Sequence, residues 1–192
     1  MIILVRSSIA RALALGLVLG LALPAGPAAA DQDDPRLEAL FDRLKAAPDA
    51  RTAREVEASI WHIWIQSDDE VIGMLMAQGL AAMSRSDLRA ALGKFDQIVK
   101  IAPGFAEGWN KRATVHYLLG DFPGSLHDIE RTLKLEPRHF GALSGRGLVL
   151  LELDQQAGAL EAFESALEVH PKLPGASRNA EALRREIQKH EI

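Results

Sequence analysis

The sequence predicts an all-α fold, a solenoid built from repeated antiparallel helix pairs. Three prolines, Pro103, Pro137 and Pro171, are spaced 34 residues apart. A fixed period of this size is the sequence signature of a solenoid. The composition agrees, because Ala, Leu, Glu and Arg are abundant while aromatic residues make up only 5% of the chain, and such a composition favours helices.

Charge and cysteine content exclude several classes of protein. The formal net charge is −4 and no basic block stands out, which argues against a nucleic-acid partner, since such a protein needs a basic stripe to displace counterions. The chain has no cysteine. Disulfides, thiol catalysis, cysteine-zinc sites and lipid attachment through an N-terminal cysteine are therefore excluded.

Residues 1–30 have the pattern of a secretory signal peptide. Their only charged side chains are Arg6 and Arg11, and an apolar run from Ala12 to Leu23 follows. Helix breakers and a small-residue cleavage site then precede Asp31. The run is about 12 residues long, short of the ~20 that a membrane-spanning helix needs. We predict cleavage and export, to a bacterial periplasm, with no membrane association afterwards; an uncleaved anchor is the alternative.

The next segment reads as a linker and a helix pair. Residues 31–34 are polar and are predicted to form a flexible linker. Pro35 suits the first turn of a helix, with Asp34 as its N-cap, and this helix ends before Pro48. Asp49 can cap a second helix, from about residue 50 to residue 66. The pair occupies residues 35–70.

Three repeat units and a terminal helix follow, at residues 71–104, 105–138, 139–172 and 173–192. Each unit contains two amphipathic helices joined by a Gly, Ser or Asp turn, predicted at 71–84 and 88–101, 106–119 and 122–135, and 140–153 and 156–169. Each second helix ends just before a proline, because the residue before a proline is pushed out of helical geometry. The terminal helix has one apolar stripe and one polar face, as a cap on an open solenoid end requires.

The units share more than their prolines. The chain resembles the tetratricopeptide-repeat (TPR) family, whose 34-residue pattern is W-x-x-L-G-x-x-Y…A-x-x-x-F…P. The first and third units match it at Gly79, Ala91, Phe95 and Pro103, and at Gly147, Ala159, Phe163 and Pro171. The middle unit matches at Trp109 and Pro137, while Ala113, His116, Ser125 and Ile129 replace the Gly, Tyr, Ala and Phe of the pattern.

This resemblance implies a right-handed superhelix that binds an extended peptide or a helix on its concave face. It also implies that small residues at Gly79, Ala113 and Gly147 let the two helices of a unit approach each other. Residues 35–70 are then a degenerate fourth unit, with Phe41 in the Trp place and Trp61 in the Phe place. Most members of the family are scaffolds or assembly factors rather than enzymes.

The resemblance places the first helix of each unit on the concave face. The inward positions predicted to bind a partner are Met76, Leu80, Met83, Asn110, Lys111, Thr114, Tyr117, Ser144, Leu148 and Leu151. Core packing is the alternative for Met76, Leu80, Leu148 and Leu151, since apolar positions at helical spacing are usually core. Of the positions that grip a C-terminal carboxylate in some relatives, only Lys111 has suitable chemistry, so a chaperone-tail clamp is not predicted.

No residue pattern supports an enzyme, a metal site or a cofactor. The six histidines lack ligand spacing, and the chain contains no G-x-S-x-G, P-loop or G-x-G-x-x-G motif. Trp61 and Trp64 form a possible second interaction patch or a cap on the first repeat. We therefore predict a non-enzymatic module that binds a protein or peptide, a periplasmic scaffold or assembly factor. The alternative is a self-associating structural subunit that forms a homo-oligomer through the Trp61/Trp64 end.

Overall fold

The computed structural model describes residues 32–190, without the side chain of His190. Within this range the chain is all-helical. Its nine α-helices are α1 (Arg36–Ala46), α2 (Ala50–Trp64), α3 (Glu70–Ser84), α4 (Leu88–Ile101), α5 (Ala106–Leu118), α6 (Phe122–Leu135), α7 (Phe140–Glu152), α8 (Gln156–Val169) and α9 (Pro174–His190). The predicted signal peptide lies outside the described residues. None of the described helices is long and apolar enough to cross a membrane.

Short polar side chains set the helix starts that the sequence predicts. Asp49, Asp87 and Asp121 each accept a hydrogen bond from a backbone N–H in the first turn of the helix that follows, which satisfies a donor that the helix itself leaves unpaired. The turns inside the three repeats each contain one residue with positive φ, at Ser86, Gly120 and Asp154. The repeat helices therefore begin and end within two residues of the predicted positions.

Inside the first and third repeats, a glycine on the first helix faces a phenylalanine on the second, as the sequence pattern implies. A Cβ atom added to Gly79 would lie 2.6 Å from the ring of Phe95, and one added to Gly147 would lie 2.6 Å from the ring of Phe163. Each ring therefore fills the space that its glycine leaves. In the middle repeat Ala113 and the slimmer Ile129 share one buried cluster instead.

The N-terminal helix pair does not extend the solenoid in series. Its core, formed mainly by α1 and α2, contains Phe140 from the start of α7, with Val169 and Leu173 packed against its edge. Arg138, just before α7, pairs with Glu38 of α1 at 2.7 Å. Residues 35–70, predicted as a degenerate unit before the first repeat, thus lie beside the second and third repeats. The large side chains of the pair are therefore buried against the start of α7, the end of α8 and the turn before α9.

The segment before α1 is also attached to the solenoid. Gln32 donates a hydrogen bond to the carbonyl of Gly104 at 3.0 Å and accepts one from the backbone N–H of Ala106 at 3.2 Å. Asp34 binds the backbone and the guanidinium of Arg36. The predicted linker covers residues 31–34; Asp31 lies outside the described residues, and the Gln32 amide satisfies backbone groups of the α4–α5 turn.

One face of α3 is left uncovered by this arrangement. Val71 and Met74 are 52% and 53% exposed, and Ala77 and Ala81 are exposed on the same helix. Ile65, at the C-terminal end of α2, packs against the α3–α4 core. The first helix of the first repeat thus has an apolar outer face without a helix stacked along it in the described part of the chain.

Candidate peptide-binding pocket on the concave face

A pocket of about 250 Å³ lies on the concave face between α5 and α7. Helix α2 forms one of its walls, and the turn before α9 closes it further. Its lining residues are Glu57, Trp61, Asn110, Ala113, Thr114, Tyr117, Ser125, Ile129, Phe140, Gly141, Ala142, Ser144, Gly145, Leu148, Val149, Leu173 and Gly175. The N-terminal pair has therefore turned part of an open groove into a bounded pocket.

Glycines create the space in this pocket. A Cβ atom at Gly145 would meet only the Cδ1 atom of Ile129, at 3.8 Å, and one at Gly175 would meet nothing within 4 Å. The surrounding floor is apolar, with Ala113 and Val149 buried beneath it. A ligand group can therefore approach the α7 backbone closely.

Trp61 brings α2 into the groove. Its Cη2 atom reaches α7 at Gly141, where an added Cβ atom would lie 2.6 Å away. The ammonium of Lys111 lies 4.9 Å from the centre of the indole, and the ring of Phe140 contacts it edge-on at 5.3 Å. A glycine, a cation and an aromatic edge thus hold the indole at the pocket wall.

Glu57 stands one helical turn before Trp61. Its Oε1 atom accepts a hydrogen bond from the indole Nε1 of Trp61, and its Oε2 atom lies 3.2 Å from Nε2 of His170. The hydrogen bond from His170 is the main factor that lowers the pKa of this carboxyl; partial burial opposes it, and the bond from Trp61 adds to it. Glu57 is therefore ionised at neutral pH.

A second carboxylate lies fully buried behind the pocket. Glu107 accepts a hydrogen bond from the amide of Asn110 at 2.9 Å and contacts His139 Nε2 at 3.0 Å. Lys111 forms an ion pair with its Oε1 atom at 2.8 Å. Burial raises the pKa of Glu107, but Lys111 and His139 outweigh it, so the net direction is downward. The ammonium of Lys111 therefore forms an ion pair with Glu107 and a cation–π contact with Trp61.

The structure brings together part of the predicted site. Among the predicted groove residues, those that line the pocket are Asn110, Thr114, Tyr117, Ser144 and Leu148. Met76 is buried in the α3–α4 core, and Leu80 and Met83 pack against that core. Leu151 packs against the core of α7, α8 and α9. Core packing, the alternative for several of these residues, therefore describes Met76, Leu80 and Leu151, while Leu148 is exposed.

The two tryptophans have different environments. Trp61 lines the pocket, whereas Trp64 is only 1% exposed and stacks on His139 with 4.1 Å between ring centres. Trp64 is thus an internal contact between α2 and α7 rather than a surface anchor. Its indole Nε1 has no hydrogen-bond partner in the part of the chain that the structure describes.

Sequence reasoning missed the contributions of Glu57, Leu173 and Gly175. These residues lie on α2, in the turn before α9 and in α9, which the repeat pattern does not assign to the groove. The sequence shows that Glu57 and Trp61 are one helical turn apart, but this spacing does not show which part of the chain they pack against. Among residues 32–190, no three His, Cys, Asp or Glu side chains are grouped so that they could hold a metal ion.

Comparison with known proteins agrees with this geometry. A family model described as tetratricopeptide repeat matches residues 76–125 and 110–177. This chain belongs to the TPR family. Helices α1 and α2 lie outside the matched ranges, so the part that closes the groove is an addition to the family pattern.

Several relatives share the repeats of this TPR protein. A TPR repeat-containing protein of Rhizobium etli is 36% identical over 136 residues, which cover 71% of this chain and 67% of that protein. Mouse tetratricopeptide repeat protein 36 is 36% identical over 47% of this chain and 45% of its own length. The chain thus spans less than half of the mouse relative.

Solved structures show the same fold in the repeats. The Sgt2 TPR domain of Aspergillus fumigatus has a TM-score of 0.58 and 26% identity, covering 62% of this chain and 80% of that one. The Arabidopsis OM64 TPR domain has a TM-score of 0.57 and 21% identity, over 58% and 93%. The first TPR domain of Spaghetti (RPAP3), bound to the HSP90 peptide SRMEEVD, has a TM-score of 0.58 and 18% identity, over 60% and 91%.

Proposed function

We propose that this TPR protein is a non-catalytic scaffold or assembly factor that holds one side chain of a partner peptide or helix in the pocket between α2, α5 and α7. The observation that carries this proposal is the preformed apolar pocket on the concave face, with the polar groups of Asn110, Thr114 and Ser144 beside it. A pocket that exists before binding reduces the ordering cost of association. Apolar pockets with a few placed polar groups are the usual form of a binding site.

The pocket volume suits one large side chain. A cavity of about 150 Å³ in another protein accommodates benzene, and the present pocket holds about 250 Å³. A leucine or aromatic side chain therefore fits, while a folded surface does not. The partner chain continues along the concave face, where the exposed Thr114 and the partly exposed Tyr117 offer polar contacts.

The acidic HSP90 peptide bound to the RPAP3 domain does not suit this face. The positions that correspond to the Lys, Asn and Arg residues of carboxylate-gripping relatives are Met76, Leu80, Lys111, Gly141 and Gly145. Of these, Lys111 alone is basic, and Glu107 already neutralises it. We therefore propose a partner that does not depend on an acidic tail.

A pair of matched glycine variants tests the pocket. Gly145→Leu fills it, while Gly93→Leu places the same side chain on the exposed face of α4, where a Cβ atom meets nothing within 4 Å. Tagged protein would capture partners from a periplasmic extract, and the dissociation constant of the main partner would then be measured. We expect Gly145→Leu to weaken binding at least about tenfold, which corresponds to about 1.4 kcal/mol, and Gly93→Leu to leave it unchanged. Equal binding by both variants would exclude the pocket.

We also propose that the protein is exported to a bacterial periplasm. The support is the pattern of residues 1–30, with Arg6 and Arg11 before an apolar run and a small-residue site before Asp31. Intact-mass measurement on periplasmic and membrane fractions would test this. A mature chain that starts at Asp31 in the periplasmic fraction is expected; the full-length mass in the membrane fraction would favour the uncleaved anchor.

Self-association is the second candidate function. Because Trp64 is buried, the Trp61/Trp64 end does not offer the surface that this alternative needs. The uncovered face of α3, with Val71 and Met74 half exposed, does offer one. Light scattering on the mature protein and on Met74→Glu would decide: a dimer that Met74→Glu converts to monomer favours self-association, and a monomer in both cases excludes it.

A further inference from the structure

We propose that the partner segment carries a basic residue close to the apolar side chain that fills the pocket, and that Glu57 pairs with this residue. The inference rests on the proposed function, since it concerns the same pocket. It adds the chemistry by which that pocket selects its partner, namely an apolar anchor followed or preceded at short range by Lys or Arg.

Among the described residues that line the pocket, Glu57 is the only one with a charged side chain. Its carboxylate uses one lone pair on each oxygen, for Trp61 and for His170. A carboxylate has about four acceptor positions, so it can accept a further donor from a ligand. Its side chain is 22% exposed, which leaves it reachable from the pocket.

His170 and Arg54, whose interactions with Glu57 help to lower the pKa of its carboxyl, do not line the pocket. His170 is fully buried, and its Nδ1 atom has no hydrogen-bond partner within residues 32–190. Its Nε2 atom contacts Oε2 of Glu57, and His170 is not among the residues that line the pocket, so it does not fill the side of Glu57 that faces the pocket. Arg54 affects Glu57 at longer range, and its side chain is exposed to solvent, where water and salt screen it.

The nearby cation is not available to the pocket. Lys111 lies over the indole of Trp61 and pairs with Glu107, and it does not line the pocket. At the other end of α7, Glu152 accepts a hydrogen bond from the hydroxyl of Tyr117, a lining residue, at 3.3 Å. One carboxylate, Glu57, thus lines the pocket, and a second, Glu152, is bonded to the lining residue Tyr117. A basic partner gains from them and an acidic partner is repelled.

Four synthetic peptides of equal length test the inference with the mature full-length chain. They combine two anchors, Leu or Ser, with two neighbours, Lys or Glu, in an otherwise uncharged Gly-Ser-Asn sequence. Their dissociation constants would be measured by titration calorimetry at low and at high salt. The variants are Glu57→Gln, which keeps the shape and an acceptor oxygen, and Glu55→Gln, which removes an exposed charge on the same helix.

We expect the Leu-Lys peptide to bind about tenfold more tightly than the Leu-Glu peptide, and both Ser peptides to bind more weakly than Leu-Lys. Glu57→Gln should remove most of the Lys-over-Glu preference, Glu55→Gln should keep it, and high salt should reduce it. Equal affinity for Leu-Lys and Leu-Glu would overturn the inference while leaving the pocket as the binding site. Absence of binding by all four peptides would also overturn it, whereas the proposed function is tested separately and fails if Gly145→Leu leaves partner binding intact.

Discussion

In the middle repeat, one residue of a packed pair is larger than in the outer repeats and its partner is smaller. In the outer repeats a glycine faces a phenylalanine, and a Cβ atom on that glycine would lie 2.6 Å from the ring. In the middle repeat Ala113 has the extra Cβ atom, and Ile129 replaces the ring. The departure from the family pattern is therefore compensated within the pair. It also makes Ile129 part of the pocket floor.

The exchange predicts a strong coupling between the two positions. Ile129→Phe should reduce the free energy of unfolding by about 1–3 kcal/mol, because the ring meets the Cβ atom of Ala113. Ala113→Gly together with Ile129→Phe should recover most of this loss. Urea denaturation of the two single variants and the double variant gives the coupling energy. Additive losses in the double variant would show that the two residues do not share one space.

The buried ion pair of the middle repeat makes a second prediction at this scale. Asp128 is 1% exposed and receives two hydrogen bonds from Arg112, at 2.7 and 2.8 Å. Arg112→Met leaves this carboxylate buried without its cation and should cost about 3 kcal/mol in urea denaturation. Asp96→Asn removes the exposed partner of Arg112 and should cost less than about 1 kcal/mol. Similar losses in both variants would contradict this account.

At the scale of elements, the repeat helices could be predicted and the position of α2 could not. The proline period and the turn residues determine where each repeat helix begins and ends, since these signals are local. The burial of Val56, Ile60 and Trp64 on one face of α2 was also visible as helical periodicity. Apolar periodicity states that a face is covered but does not identify what covers it. The contact of Trp61 with Gly141 joins distant parts of the chain, so no local pattern reports it.

Two neighbouring glycines of α7 test the docking of α2. Gly141→Ala places a Cβ atom 2.6 Å from Trp61 and should cost about 1–3 kcal/mol, with a change in the near-ultraviolet circular dichroism of the tryptophans. Gly145→Ala, one turn later on the same helix, meets only Ile129 at 3.8 Å. It should be neutral or stabilising by up to about 1 kcal/mol, through helix propensity. An equal change in the free energy of unfolding for both variants would show that Trp61 does not pack against Gly141.

The contact between α2 and His170 predicts a pH dependence. The pKa of Glu57 is lowered in the folded protein from its ordinary value of 4.5. Its contribution to stability is therefore present above about pH 4.5 and is lost as the pH falls through the folded pKa. Urea denaturation at pH 7 and at pH 3.5 should show Glu57→Gln less stable than wild type at pH 7, with a smaller gap at pH 3.5. A gap that widens on acidification would contradict the direction of this pKa.

At the scale of the whole molecule, the protein is a short TPR solenoid whose N-terminal helix pair lies along its side. This pair buries Trp64 and Phe140, closes one edge of the concave face and leaves the outer face of α3 uncovered. Among residues 32–190, the bounded pocket and the α3 face are the two surfaces that this account offers to partners. The groove predicted from the resemblance extends over all three repeats, whereas the pocket lies within the second and third, because Met76, Leu80 and Met83 pack in or against the α3–α4 core.

Hydrogen exchange on the complex with the captured partner tests the central claim most directly. If the partner inserts a side chain between α2, α5 and α7, backbone amides of α7 from residue 140 to residue 149, together with those around Glu57 and Trp61, should exchange more slowly in the complex. The amides of α3 from residue 71 to residue 81 should exchange as in the free protein. Slowing confined to α3, with α7 and α2 unchanged, would contradict the claim and assign binding to the uncovered face.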